Sequence, residues 1–172
     1  STGNIDFIGS VSISGGVKSG FSVSAGADLE IAGAVEACTL NAKGDIMITR
    51  GVQGGTKGVI SAGGNIMASF IENCTISAKG DITASAIMHS QVKCGGTLNV
   101  FGRKGILVGG KAVVREKVSA RVIGSYMDTV TEIEVGIDPE VLEGYRIAVR
   151  EIDGQNKEFE KIEKIIAMLS KV

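Results

Sequence analysis

The stretch LNAKGDI, residues 40–46, returns as ISAGGNI at 60–66, ISAKGDI at 76–82 and VKCGGTL at 92–98. In each copy, apolar or small residues alternate with mostly polar ones, which is the period-two pattern of a half-buried β-strand. Looser copies that begin at Val11, Val23 and Ile106 bring the number to seven. This repeat is the main determinant of the fold class.

The spacing of the repeat predicts a parallel β-helix, or β-solenoid. Copies follow each other at intervals of 12 to 20 residues, whereas helical repeats need about 33 residues and a 3.6-residue period. One coil of short strands fits the shorter interval. We therefore expect an all-β fold of about seven coils, with Leu40 stacked over Ile60 and Ile46 over Ile66 in ladders about 4.8 Å apart.

The glycine of the phrase is predicted to form a corner of each coil. We place Gly15, Ala27, Gly44, Gly64, Gly80, Gly96 and Gly110 in this column. Glycine followed by Asp or Asn suits a bend that needs a positive φ angle. Asp45 and Asp81 are therefore interpreted as turn residues rather than catalytic carboxylates.

The three cysteines are predicted to be reduced thiols. Cys38 and Cys74 have the same phase in the repeat but lie two coils apart, a separation of about 9 to 10 Å that exceeds the roughly 7 Å limit for a disulfide. With Cys94 they do not have a metal-ligand spacing. Reduced thiols favour a cytoplasmic location.

Composition excludes several functional classes. The net charge is −1, so bulk electrostatics favour neither nucleic acid nor an anionic membrane as partner. No apolar stretch approaches the length of a transmembrane span. We expect no cofactor and no metal.

A basic segment after Phe101 is the candidate interaction site. It contains Arg103, Lys104, Lys111, Arg115, Lys117 and Arg121, and the first four are the candidate interaction residues. One interpretation is a patch for an anionic ligand or partner. The alternatives are that the acidic segment 128–143 folds back and neutralises it, or that both segments are solvated.

The C-terminal part is predicted to be helical. A final strand over residues 131–137 is followed by Asp138 and Pro139, a helix cap and first-turn proline. Gly154 is predicted to break or cap this helix. The boundary divides the chain into a solenoid domain, 1–137, and a helical segment, 138–172.

A second helical run carries an apolar stripe close to a heptad repeat over about two heptads. We predict that this stripe mediates oligomerisation as a coiled coil. The alternatives are that it packs against the preceding helix of the same chain, or that it lies along the solenoid and caps its open end. Its members are Phe159, Ile162, Ile165, Ile166 and Leu169.

Several motifs together resemble the flagellar assembly protein A family of bacteria, whose architecture is similar to that of the bactofilins. These motifs are FIENC at 70–74, IMHSQV at 87–92, GRKGILVGG at 102–110, IGS at 123–125 and TEIEVGIDPE at 131–140. The resemblance implies a right-handed β-solenoid followed by a helical coiled-coil region. It also implies a cytoplasmic scaffold that acts in flagellar assembly or motility through a protein partner or a homo-oligomer, and that this chain is a central fragment.

An enzyme is the alternative from another functional class. Parallel β-helices host acyltransferases and carbohydrate-processing enzymes, and His89, the only histidine, is the one general base suited to neutral pH. Ser90 is adjacent, but neighbouring residues on a strand point to opposite faces. The two residues are therefore not expected to form a nucleophile and base pair.

Overall fold

The computed structural model describes residues 3–125 and 129–169, and it is a parallel β-solenoid followed by a single helix. The chain divides into two compact units, residues 1–139 and 140–172. The strands are β1 Ile5–Phe7, β2 Val11–Ile13, β3 Ser22–Ala25, β4 Leu29–Ile31, β5 Thr39–Ala42, β6 Ile46–Ala62, β7 Ile66–Ala78, β8 Ile82–Cys94, β9 Thr97–Val100, β10 Ile106–Val114, β11 Lys117–Ala120, β12 Val122–Ile123 and β13 Thr131–Val135.

Each coil contributes to three stacks of parallel strands, and the long strands β6, β7 and β8 pass through all three. Stack 1 contains Ile5, Val23, Leu40, Ile60, Ile76, Val92, Ala112 and Ile133. Stack 2 contains Val11, Leu29, Ile46, Ile66, Ile82, Leu98 and Val118. Stack 3 contains Val17, Val35, Val52, Ile71, Ile87, Leu107 and Ile123.

The three stacks enclose the hydrophobic core. In the central coils the stacked side chains are fully buried; Leu40, Ile76 and Ile87 are each 0 % exposed. Burial of such a side chain contributes about 1.5 to 3 kcal/mol. A single coil cannot bury its apolar face, so stacking supplies the cooperativity of the domain.

The predicted ladders are confirmed in the middle of the chain and wrong at its ends. Leu40 pairs with Ile60 and Ile46 with Ile66, as expected. At the start, however, Val11 pairs with Leu29 in stack 2, and the copy in phase with the others runs from Ile5 to Val11. Near the end, Ala112 was predicted to be the last apolar residue of a copy, but it pairs with Val92, the first residue of the preceding copy, and is therefore itself a first residue. The alternation of apolar and polar residues is the same for strands of all three stacks, so a short segment does not show to which stack it belongs.

The corner between stacks 1 and 2 is held by a ladder of short polar side chains. The backbone N–H of Asn65 donates to Asp45 Oδ1 at 2.7 Å, that of Asp81 to Asn65 Oδ1 at 2.8 Å, and that of Thr97 to Asp81 Oδ1 at 2.7 Å. Each side chain thus bonds the backbone of the next coil. Asp45 and Asp81 thus lie at a corner, as predicted, but their side chains link coils and do not bond the local backbone.

The glycines of this corner are needed for close approach, which corrects the expectation of positive φ. Gly44, Gly64, Gly80 and Gly96 form the column, and none of them has a positive φ angle. A Cβ atom at Gly64 would lie 2.1 Å from Asp45 Oδ1, far inside van der Waals contact. Gly110, by contrast, does have a positive φ of 84°, but it lies in another corner.

A single helix, α1, spans Pro139–Leu169, so the predicted break at Gly154 is wrong. The start agrees with the prediction, since Pro139 occupies the first helical position. Glycine within a helix costs about 1 kcal/mol relative to alanine, which is too little to interrupt good helix-forming residues on both sides. The final strand, β13, is slightly shorter than predicted.

Candidate interaction surfaces

The residues considered for catalysis occupy a corner of the solenoid. His89 is exposed and has a φ of 49°, and Asn73 one coil earlier has a φ of 50°. Asn and His tolerate this left-handed conformation better than most residues. Ser90 is only 2 % exposed; its hydroxyl donates to the carbonyl of Met88 at 2.8 Å and accepts from the N–H of Cys74 at 3.3 Å. The side chains of His89 and Ser90 are thus separated, as expected, one exposed and the other buried.

The three cysteines are free and buried. Cys38 and Cys74 lie in one column with Gly58 between them, which confirms the predicted two-coil separation. The Cys74 thiol donates to the carbonyl of Gly58 at 3.3 Å. Burial, with a smaller contribution from Glu36, raises the pKa of Cys38 to about 11. Burial also raises the pKa of Cys74 to about 12 and raises that of Cys94.

These pKa shifts predict a loss of stability in alkali. Unfolded thiols ionise near pH 9, the ordinary value for these groups, while the folded thiols keep their protons. Between pH 9 and 11 the folded state therefore binds more protons, and the free energy of unfolding falls as pH rises, by on the order of 1 kcal/mol at pH 10 for each of Cys38 and Cys74. Urea unfolding at pH 8 and pH 10 measures this. The variant with Cys38, Cys74 and Cys94 all changed to Ala should show a smaller fall; an equal fall in both proteins would contradict the assignment.

Two of the four predicted interaction residues are engaged in ion pairs within the solenoid. Lys111 contacts the carboxylates of Glu134 and Glu132, the latter at 3.2 Å, and Arg115 lies 3.7 Å from Asp138. The hydrogen bond that Lys111 donates to Glu134, followed by the one that it donates to Glu132, raises the pKa of Lys111. β13 places these acids beside β10. The acidic segment therefore does fold back onto part of the basic one.

The other two predicted residues, Arg103 and Lys104, lie on an exposed loop between β9 and β10. The ends of the loop are held, because Phe101 N–H donates to Ala84 O at 2.9 Å and Gly105 N–H to Ser85 O at 3.0 Å. The Phe101 side chain is 54 % exposed. Arg121, in the next coil, lies against Gly105. The structure thus brings Arg121, from the far end of the basic segment, to the loop that carries Arg103 and Lys104.

Helix α1 carries a seam, apolar except at Gln155, that the two-helix prediction divided. Its members follow one another at alternating intervals of four and three residues, the heptad spacing of a coiled coil, over four heptads. The seam consists of Val141, Tyr145, Ala148, Ile152, Gln155, Phe159, Ile162, Ile166 and Leu169. Its large apolar members whose side chains are described are 54 % to 68 % exposed. The seam thus extends over four heptads instead of the two that the sequence predicted.

The residues predicted for oligomerisation map onto this seam with one exception. Phe159, Ile162, Ile166 and Leu169 fall at seam positions, whereas Ile165 falls at a position beside it. The side chains of Ile165 and Leu169 are outside the described set. Recognising the seam from sequence required treating Gly154 as helical, because the alternation then continues from Ile152 to Phe159.

The described residues offer neither a membrane span nor a metal site. No helix among them is both long and apolar enough to cross a bilayer. They also contain no cluster of three or more His, Cys, Asp or Glu side chains that could hold a metal ion.

Comparison with known proteins gives one match. The family model described as the flagellar assembly protein A beta solenoid domain matches residues 1–171. No curated protein and no solved structure matches the chain. The match covers the stacked coils and the helix, and it agrees with the resemblance carried by the motifs of residues 70–140. The chain therefore belongs to the flagellar assembly protein A family.

Proposed function

We propose that this protein is a non-catalytic scaffold in flagellar assembly, which works in the cytoplasm by binding other protein chains. The family match supports the link to flagellar assembly. Each coil of the solenoid is hydrogen-bonded to its neighbours along all three stacks. This rigidity suits a scaffold better than a protein that works by changing its conformation. His89 serves as a corner residue in this proposal.

The observation that carries the proposal is the exposed seam of α1. The large apolar seam side chains that the structure describes are more than half exposed. Contiguous exposed apolar surface of this kind is typical of a site of protein interaction. A second helix, from another copy or from another protein, would bury Tyr145, Ile152, Phe159, Ile162 and Ile166. At about 1.5 to 3 kcal/mol for each fully buried side chain, this seam can supply most of the binding free energy.

The exposed loop at Arg103 and Lys104 is proposed as a second contact surface, for an acidic partner. Arg121 adds to its charge, whereas Lys111 and Arg115 are satisfied by Glu132, Glu134 and Asp138. Exposed charges of this kind mainly steer association and affect its rate. The loop would thus assist binding that the seam dominates.

The test is genetic and places two acids in the seam. In the source bacterium, Phe159→Asp together with Ile162→Asp should abolish most swimming in soft agar and reduce the number of flagella per cell. The reason is that two buried contacts worth several kcal/mol are replaced by two desolvated carboxylates. The matched control is Lys157→Asp with Lys164→Asp, which introduces the same residues on the opposite side of the helix and should leave swimming unchanged.

A third strain separates the scaffold from an enzyme. His89→Ala should swim normally, since its side chain is assigned no chemistry. Normal swimming of the seam variant would refute the role of α1, and loss of swimming in a well-folded His89→Ala protein would favour catalysis. Thermal unfolding by circular dichroism verifies the folding of each variant.

A further inference from the structure

The charged residues of α1 that flank the seam are all acids. Relative to the heptad, Glu151 and Glu158 fall at g positions and Glu163 at an e position, the two positions that flank a coiled-coil interface. The bases Arg150, Lys157 and Lys164 all fall at f positions, on the side of the helix opposite to the seam. All six are exposed. The seam is therefore bordered by acids, and the bases that could balance them point away.

The helix itself compensates these acids poorly. Ion pairs within a helix form between residues three or four apart. Glu151 and Glu163 have no basic residue at these distances in the sequence, and Glu158 has only Lys161. The acidic border of the seam thus remains available to a partner.

Pairing with a second copy would bring acids together in either orientation. In a parallel pair, each g position faces the e position five residues further along the partner, so Glu158 would face Glu163 of the other helix. In an antiparallel pair, g positions face each other, and Glu151 would meet Glu158. Like charges at these positions disfavour a pairing and direct partner choice.

We propose that the preferred partner of α1 is a helix of another protein, with an apolar heptad seam bordered by Lys and Arg at its own e and g positions. This inference rests on the proposed function of the seam and specifies its partner. The apolar members provide the binding free energy, and the acidic border selects a basic-flanked helix over a second copy. Self-association through the same seam is the weaker, competing state.

A charge-reversed version of the chain provides the probe for this partner. Glu151→Lys, Glu158→Lys and Glu163→Lys together keep the seam and convert its border from acidic to basic. Sedimentation equilibrium of the full chain, of this variant, and of an equimolar mixture gives three dissociation constants. The mixture should associate at least about tenfold more tightly than either protein alone, since pairs of like charges become pairs of opposite charge.

The matched control reverses the bases that face away from the seam. The variant Arg150→Glu, Lys157→Glu, Lys164→Glu, mixed with the unchanged chain, should associate no more tightly than the unchanged chain alone. Self-association of the unchanged chain as tight as that of the charge-reversed mixture would overturn the basic partner and leave the seam as an interface between copies. Monomers in every sample would overturn both the basic partner and the seam. Circular dichroism of each variant verifies that α1 remains helical.

Discussion

Gly110→Ala should lower the free energy of unfolding by roughly 2 to 5 kcal/mol, one of the two largest effects expected of a single change in the solenoid. Two causes combine at this position. Gly110 has a φ of 84°, where a side chain is strained, and an added Cβ would lie 2.2 Å from the carbonyl oxygen of Ser90 in the preceding coil. Backbone atoms of a stacked coil cannot move aside without breaking the ladders on both sides. Urea unfolding followed by circular dichroism measures the change.

Gly124 offers a matched control for the backbone angle. Its φ is 86°, nearly that of Gly110, but an added Cβ would meet no atom of residues 3–125 or 129–169 within 4 Å. Gly124→Ala should therefore cost only the conformational penalty, about 1 to 2 kcal/mol. If the two variants were equally stable, the close approach of neighbouring coils would not be the reason for glycine at 110.

Ile66→Ala should lower the free energy of unfolding by about 2 to 5 kcal/mol, the usual range for a large-to-small change in a packed core. Ile66 is 1 % exposed and stacks between Ile46 and Ile82. Since the coils above and below are held by continuous hydrogen bonding, they cannot collapse into the cavity. The same urea measurement gives the value.

The adjacent residue is the control for Ile66. Met67 lies on the same strand, faces outward and is 52 % exposed, so Met67→Ala should change the stability by no more than about 0.5 kcal/mol. Equal effects at the two positions would mean that the alternation of this strand does not separate core from surface.

The sequence predicted a segment's secondary structure correctly where the segment itself contains a clear alternation of apolar and polar residues. The alternation around Leu40, Ile60 and Ile76 predicts strands, because successive side chains of a strand point to opposite faces. The same pattern fails for Ala112, since a strand that alternates correctly fits any stack, and only hydrogen bonds to the preceding coil determine its phase. The break predicted at Gly154 failed for a similar reason: a local cost near 1 kcal/mol was outweighed by its neighbours.

The candidate surfaces depend on contacts between residues that are distant in the sequence, and the sequence alone does not predict such contacts. Lys111 and Glu134 are far apart in the chain and form an ion pair because β13 adds to the edge of β10. Arg121 lies one coil further along the solenoid than Arg103, and the stacking of the two coils places it beside the loop that carries Arg103. Coil lengths vary along this chain, so residues that become neighbours across coils have no constant spacing that could reveal them.

By itself, then, the sequence determined the β-solenoid, the central ladders, the reduced state of the cysteines and the start of the helix, since each follows from a periodicity or a local preference. Tertiary structure decided the phase of the first and last coils, the pairing of the basic segment with the acids of β13, and the reason for glycine at the Asp45 corner. Those features arise where one coil lies against the next, at distances of a few ångströms between residues that no local rule connects. The seam of α1 belongs to both groups. Its heptad spacing can be read from the sequence, but only the structure shows that Gly154 lies within one helix and that the spacing therefore runs through it.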